Sequence, residues 1–181
     1  MKRTLDICYI ALFVALIAVC SWISFPIAQI PYTLQVLAIL VCAGLLGWQR
    51  SLIAVAAWLL LGAVGVPVFS GFSSGLFTAA SRGYAVGFLF TVLIVGLGYK
   101  IKIENAVLRY VVLALFMIVG VAACYAFGTA WFLIYMKNAN KAVTLAYALG
   151  VCVVPYLWFD GVKIVLSILL VERLKPYLRK E

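Results

Sequence analysis

Apolar residues along this chain do not alternate with polar ones, as they would on a half-buried strand or on one face of a soluble helix. They run on unbroken. No charged residue occurs between positions 7 and 49, and further charge-free runs cover 51–81, 83–99, 110–136 and 142–159. A bilayer takes about 20 apolar residues per spanning helix, so these runs predict membrane spans. Pro26 and Pro31 split the first run, and glycines and serines punctuate the second. The pattern predicts an all-α integral membrane protein with six transmembrane helices, near 7–25, 32–46, 52–66, 83–99, 108–135 and 144–171, in a single membrane domain over 1–181. The second and third spans are only about 15 residues, or about 22 Å at the helical rise, against a hydrocarbon layer of about 30 Å. They are expected either to tuck against longer neighbours or to end in loops that dip into the membrane.

Composition agrees. Hydrophobic residues make up 68% of the 181 positions and charged ones 10%, against about a quarter charged in a soluble domain. A soluble catalytic domain has no room beside six spans. The net charge of +9 invites a nucleic-acid reading, but its placement argues for topology instead. Lys2 and Arg3 precede the first span, Arg173, Lys175, Arg179 and Lys180 follow the last, and Arg50, Lys100, Lys102 and Arg109 fall in or beside two loops between. With six spans and a cytoplasmic N-terminus, all of these lie on one side; only Arg82, Lys137 and Lys141 fall in loops on the other. That asymmetry follows the positive-inside rule and puts both termini in the cytoplasm. The Lys2-Arg3 start and the apolar run behind it loosely suit a secretion signal, but Val19 is too bulky for cleavage, and the segment reads as the first, uncleaved span.

Cys8, Cys20, Cys42, Cys124 and Cys152 all lie in apolar stretches, with no CxxC pair and no histidine in the chain. They read as small packing residues, which leaves no metal site and no expected cofactor. The candidate chemistry is therefore carried by the few ionisable groups inside spans. Asp160 and Lys163 lie three apart on the sixth span, about 60° apart around the helix and about 4.5 Å along it. Each costs roughly 2.5–3.5 kcal/mol at a helix centre, so both should face the protein interior or a wet cavity. They form either a self-neutralising pair or part of a polar ligand site, and the second reading is preferred because leucine would serve packing alone. Pro155 is expected to kink this helix. The stretch from Gly65 to Gly75 mixes turn formers with Phe69 and Phe72; it reads either as a loop on the bilayer surface or as backbone and apolar wall for a ligand. On the first span Ala11 and Ala15 repeat at i, i+4, with Ala18 near the same face, a spacing that lets another helix approach closely.

Several blocks in order resemble one family. They are Pro31-Tyr32-Thr33-Leu34-Gln35-Val36-Leu37, Ala43-Gly44-Leu45-Leu46-Gly47, and Leu60-Leu61-Gly62-Ala63-Val64-Gly65-Val66-Pro67-Val68-Phe69 running into Ser70-Gly71-Phe72-Ser73-Ser74-Gly75. Gly83-Tyr84-Ala85-Val86-Gly87-Phe88, Tyr125-Ala126-Phe127-Gly128-Thr129-Ala130-Trp131 and Asp160-xx-Lys163 follow. Together they resemble the biotin-specific substrate-binding (S) components of energy-coupling-factor (ECF) transporters, the BioY family. The resemblance implies a six-helix S-component fold holding one biotin near the extracellular side, in the membrane of a bacterial cell. It implies as partners a transmembrane coupling protein and two ABC-type ATPase subunits, with the Ala11 and Ala15 face docking on the coupling protein. Two departures stand out. Ala79-Ala80-Ser81-Arg82-Gly83-Tyr84 replaces a Gly-Pro-Thr-Gly-Gly-Tyr-like turn, and Trp158-Phe159 replaces the Pro-Gly before the aspartate.

Biotin's chemistry suits the residues singled out. Its ureido ring has two N–H donors and a carbonyl acceptor, complementary to a carboxylate and an ammonium on one helix face. Its apolar ring and chain need walls, for which Phe72, Tyr84 and Trp158 are candidates. Its carboxylate needs a cation or donors, offered by Lys163, Arg82, or Ser73 with neighbouring backbone N–H groups. The rivals are an S component for another vitamin and a structural membrane protein in which Asp160 and Lys163 pair helices. An intramembrane enzyme would need a nucleophile–base pair or a metal cluster that one Asp, one Lys and no His do not supply.

Overall fold

Proline and glycine placement decides where this apolar chain turns. The computed structural model describes residues 2–25, 30–76, 78–141 and 143–178. It comprises α1 (Lys2–Trp22), a two-residue hairpin of β1 (Ser24–Phe25) and β2 (Tyr32–Thr33), α2 (Gln35–Ala63), a 3₁₀ turn (Ser70–Phe72), α3 (Arg82–Gly98), α4 (Ala106–Asn138), α5 (Leu145–Cys152) and α6 (Val154–Leu178). The strands pair antiparallel, Ser24 with Thr33 and Phe25 with Tyr32. Pro26, and with it one of the predicted breaks, lies outside the described residues, as do Arg179 and Lys180.

The 29 residues of α2 are two helices folded against each other. In one straight helix Gln35 and Trp58 would stand roughly 35 Å apart, yet both line the same cavity. The reversal is at Gly47, with φ 74° and ψ 169°, a conformation essentially reserved for glycine. The two arms, within Gln35–Ala63, overlap the ranges 32–46 and 52–66 expected from the sequence. Four helices (Thr4–Trp22 of α1, α2, α4, and Val154–Tyr177 of α6) are by length and composition able to cross a membrane, and Arg82–Gly98 is shorter. With α2 folded at Gly47, and α5 leading into α6, the described residues make six helical passes.

Contacts at the two ends confirm the alternation. Asp6 at the start of α1 pairs with Arg50 just after Gly47 at 2.9 Å. Arg109 at the start of α4 pairs with Glu172 late in α6 at 2.7 Å. The described ends of α1 and α6 therefore share one end of the bundle. At the other, Trp22 donates its ring N–H to the Pro67 carbonyl, and Trp131 donates to Ala79. Asn105 and Thr144 start α4 and α5 by accepting from the backbone N–H groups of Leu108 and Tyr147.

The connection after the second arm of α2 is exposed at 65–67 and at Gly71 and Phe72, and its middle is packed inward. Val68 and Phe69 are buried, and the Val68 carbonyl accepts from Ser21 Oγ at 2.6 Å and Trp58 Nε1 at 3.1 Å. Non-helical backbone at membrane depth survives where protein groups satisfy it, and these do. α3 and α4 approach so closely that a Cβ on Gly87 would stand 3.0 Å from Cys124 backbone atoms. Thr91 Oγ1 then reaches across to the Gly120 carbonyl at 2.9 Å.

The last pass breaks at Val153 (φ −123°, ψ −58°), two residues before the proline expected to kink it. Pro155 thus falls in the first turn of α6, where its missing N–H costs nothing. Its carbonyl accepts from the Tyr32 hydroxyl at 2.6 Å.

Candidate ligand-binding site

A mostly apolar cavity with a few polar groups opens between the arms of α2, the loop after them, and α3, α4 and α6. About 80 Å³ of it is open to the centre of a water molecule, several times the roughly 10–15 Å³ that one water requires on that measure. It extends along α3 from Arg82 to Thr91, nine residues or roughly 13 Å of helix, so its shape suits an elongated ligand.

Asp160 and Lys163 face this cavity together, both buried. Lys163 Nζ donates to Asp160 Oδ1 at 2.8 Å, and the Tyr125 hydroxyl donates to Asp160 Oδ2. Each carboxylate oxygen thus has a partner, while the ammonium has protons left over for a ligand. Arg82 is 4% exposed and roofs the opposite end. Its Nε donates to the Gly75 carbonyl at 3.0 Å and its Nη2 to Ser73 Oγ at 2.7 Å. The guanidinium lies 4.3 Å above the centre of the Phe69 ring. Among the described residues no carboxylate lies within salt-bridge distance of it.

The other residues singled out from the sequence divide. Tyr84 is a cavity wall, its ring against Gly128 and its hydroxyl 3.2 Å from Thr129 Oγ1. Ser73 does not line the cavity; it accepts from Arg82 and donates to the Ser70 carbonyl at 2.6 Å, so it holds the guanidinium in place. Trp158 and Phe72 are turned away from it. Trp158 precedes Asp160 by two residues, about 200° around the helix, and is 80% exposed. Phe72 follows Gly71 in a turn where both have positive φ, which swings its ring out to stack on Trp22 at 5.0 Å. The inward aromatic of that loop is Phe69, edge-on to Trp58 at 4.9 Å. Ala11 and Ala15 are both exposed on α1, whereas Ala18 is buried one turn nearer the loop.

Several cavity residues were not singled out from the sequence. Gln35 is buried, lines the cavity, and has a side-chain N–H₂ with no partner. Tyr125 secures Asp160. Tyr156 stacks on Tyr32 at 4.2 Å and donates to the Ile30 carbonyl, tying the strand hairpin to α6 across the cavity. A lone amide opening an otherwise apolar helix was the available signal for Gln35.

The model of the family described as BioY matches residues 1–180. The chain belongs to the BioY family. Among its BioY relatives, the biotin transporter BioY of Thermotoga maritima is 34% identical over 166 residues, covering 91% of this chain and 92% of that one. The probable biotin transporter BioY of Pyrococcus horikoshii is 32% identical over 172 residues, covering 94% and 96%. The crystal structure of the S-component for biotin from an ECF-type ABC transporter matches with a TM-score of 0.80 at 28% identity, over 97% of this chain and 93% of that one. The fold of this BioY-family chain is therefore the all-α membrane fold of an ECF S component.

Proposed function

We propose that this chain is the high-affinity biotin-binding S component of an ECF-type vitamin transporter. It would deliver biotin to a transmembrane coupling protein and two ABC-type ATPase subunits. The observation that carries the reading is a buried cation, Arg82, with no carboxylate partner among the described residues, at one end of an elongated cavity whose other end holds a carboxylate and an ammonium. Burying an unpaired charge is costly, and a ligand carboxylate held by Arg82 removes the cost. The ureido ring would then lie toward Asp160, Lys163 and Gln35, whose free amide N–H₂ suits a carbonyl acceptor, with Tyr84, Phe69 and Trp58 as apolar walls. Supporting the assignment to biotin are the names carried by the relatives.

The distribution of Lys and Arg supports cytoplasmic termini in a bacterial cell membrane, with the cavity toward the outside. Ala11 and Ala15, small and uncovered on α1, would meet the coupling protein. The test is equilibrium binding of labelled biotin to the purified chain in detergent, with unlabelled biotin, riboflavin and thiamine as competitors. Displacement by biotin alone is expected. Displacement by another vitamin, or no saturable binding, would overturn the assignment.

A further inference from the structure

A second cleft lies at the other end of the bundle, where α1 begins, α2 turns at Gly47, α3 ends and α6 passes. About 290 Å³ of it is open to water centres, and among the described residues its walls carry Arg50, Lys100 and Lys175 and no carboxylate. Two aromatic rings set the cations. Lys100 Nζ stands 5.0 Å from the centre of the Trp48 ring, and Lys175 Nζ 4.5 Å from that of Tyr99. Arg50 is oriented by Asp6. The polar tips of both rings, Trp48 Nε1 and the Tyr99 hydroxyl, are shielded from water and have no hydrogen-bond partner. A buried donor without an acceptor is uncommon and calls for an explanation.

We propose that this cleft binds the phosphate group of an anionic phospholipid. The lining supplies cations held over aromatic faces, beside two ring donors that lack a partner. A lipid is favoured over free phosphate by what surrounds the cleft. Leu45 and Leu46 form part of its wall; Ile7, next to Asp6 on α1, and Ile53, about one turn from Arg50 on α2, are both largely exposed. Acyl chains attached to the phosphate would cover that surface. Tryptophan, tyrosine and lysine at a bundle end also mark headgroup depth.

The test is native mass spectrometry of the purified full chain released from mixed micelles of phosphatidylglycerol and phosphatidylcholine. Phosphatidylglycerol should be retained in preference, and the pair of changes Arg50→Gln and Lys100→Gln should cut its occupancy about tenfold or more. Lys137→Gln with Lys141→Gln, at the opposite end, should leave it unchanged. Should the Arg50 and Lys100 variant fail to give a monodisperse protein, the parent decides: equal retention of the two lipids ends the proposal. So does an unchanged occupancy in a folded variant. Displacement of phosphatidylglycerol by inorganic phosphate would make this a free-phosphate site and equally overturn the lipid assignment.

Discussion

Replacing Arg82 by glutamine asks which end of the ligand the buried guanidinium meets. Two of its N–H groups are committed to Gly75 and Ser73, and the rest of the fork remains for a carboxylate. A hydrogen bond to a charged group contributes about 1.5–3 kcal/mol. Losing the carboxylate contact should therefore weaken biotin binding roughly 10- to 150-fold, at 1.4 kcal/mol per decade. Arg82 also braces the loop above it, so a loss of affinity alone would not separate the two roles. Biotinamide, whose tail is neutral, does. The parent protein should bind biotinamide more weakly than biotin by a similar factor, while Arg82→Gln should bind both alike. Isothermal titration in detergent reads all four affinities, with thermal unfolding followed alongside. Trp158→Ala, on the outward face of α6, should change none of them. If Arg82→Gln weakens both ligands by the same factor, the guanidinium acts through the loop and the carboxylate lies elsewhere.

Asp160→Asn and Lys163→Met should each cost about 1.5–3 kcal/mol of biotin affinity; a double variant that folds and binds like the parent would reduce the pair to mutual neutralisation, and a double-mutant cycle decides. Ala11→Trp with Ala15→Trp should leave biotin binding intact and abolish ATP-driven uptake in reconstituted vesicles, because bulk on that exposed face blocks close helix approach; unchanged uptake would make the face ordinary lipid-facing surface. Gly47→Ala should destabilise the fold by about 1–3 kcal/mol, read as a lowered unfolding temperature, because its backbone conformation is closed to residues with a Cβ, although the added methyl would meet no atom.

The passes were legible because charge is so rare here that each Lys, Arg or Asp marks either a loop or a site. Asp160 and Lys163 stood out for the same reason, and so did Arg82, which broke an expected turn. The shortness of the α2 arms and the turn between them, marked by Arg50, were readable, but that the turn would rest on the backbone of Gly47 rather than on the nearby Gly44 was not. Gln35 and Tyr125 escaped notice because an amide and a phenol are ordinary in apolar helices until their partners are known, and Tyr125 meets Asp160 only through the packing of α4 on α6. Facing was the weakest inference. Trp158 was judged by its neighbourhood in sequence, whereas its angle relative to Asp160 already pointed outward. Phe72 depended on backbone dihedrals at Gly71 that composition does not reveal.

The pairing inside the cavity has a consequence for energetics under a membrane potential. Lys163 is matched by Asp160, so among the described residues the cavity walls carry one charge without a counter-ion, that of Arg82. A ligand with one carboxylate brings the site to neutrality. Any step that moves the loaded site through the electric field then does no net work on it. The return of the empty site moves one positive charge, at about 2.3 kcal/mol per 100 mV for a full crossing. With the cell interior negative, that return outward runs uphill. In the proposed role, if the site crosses the field, the voltage dependence of turnover belongs to the unloaded protein, and holding the membrane at zero potential should speed recovery without altering how tightly the ligand is held.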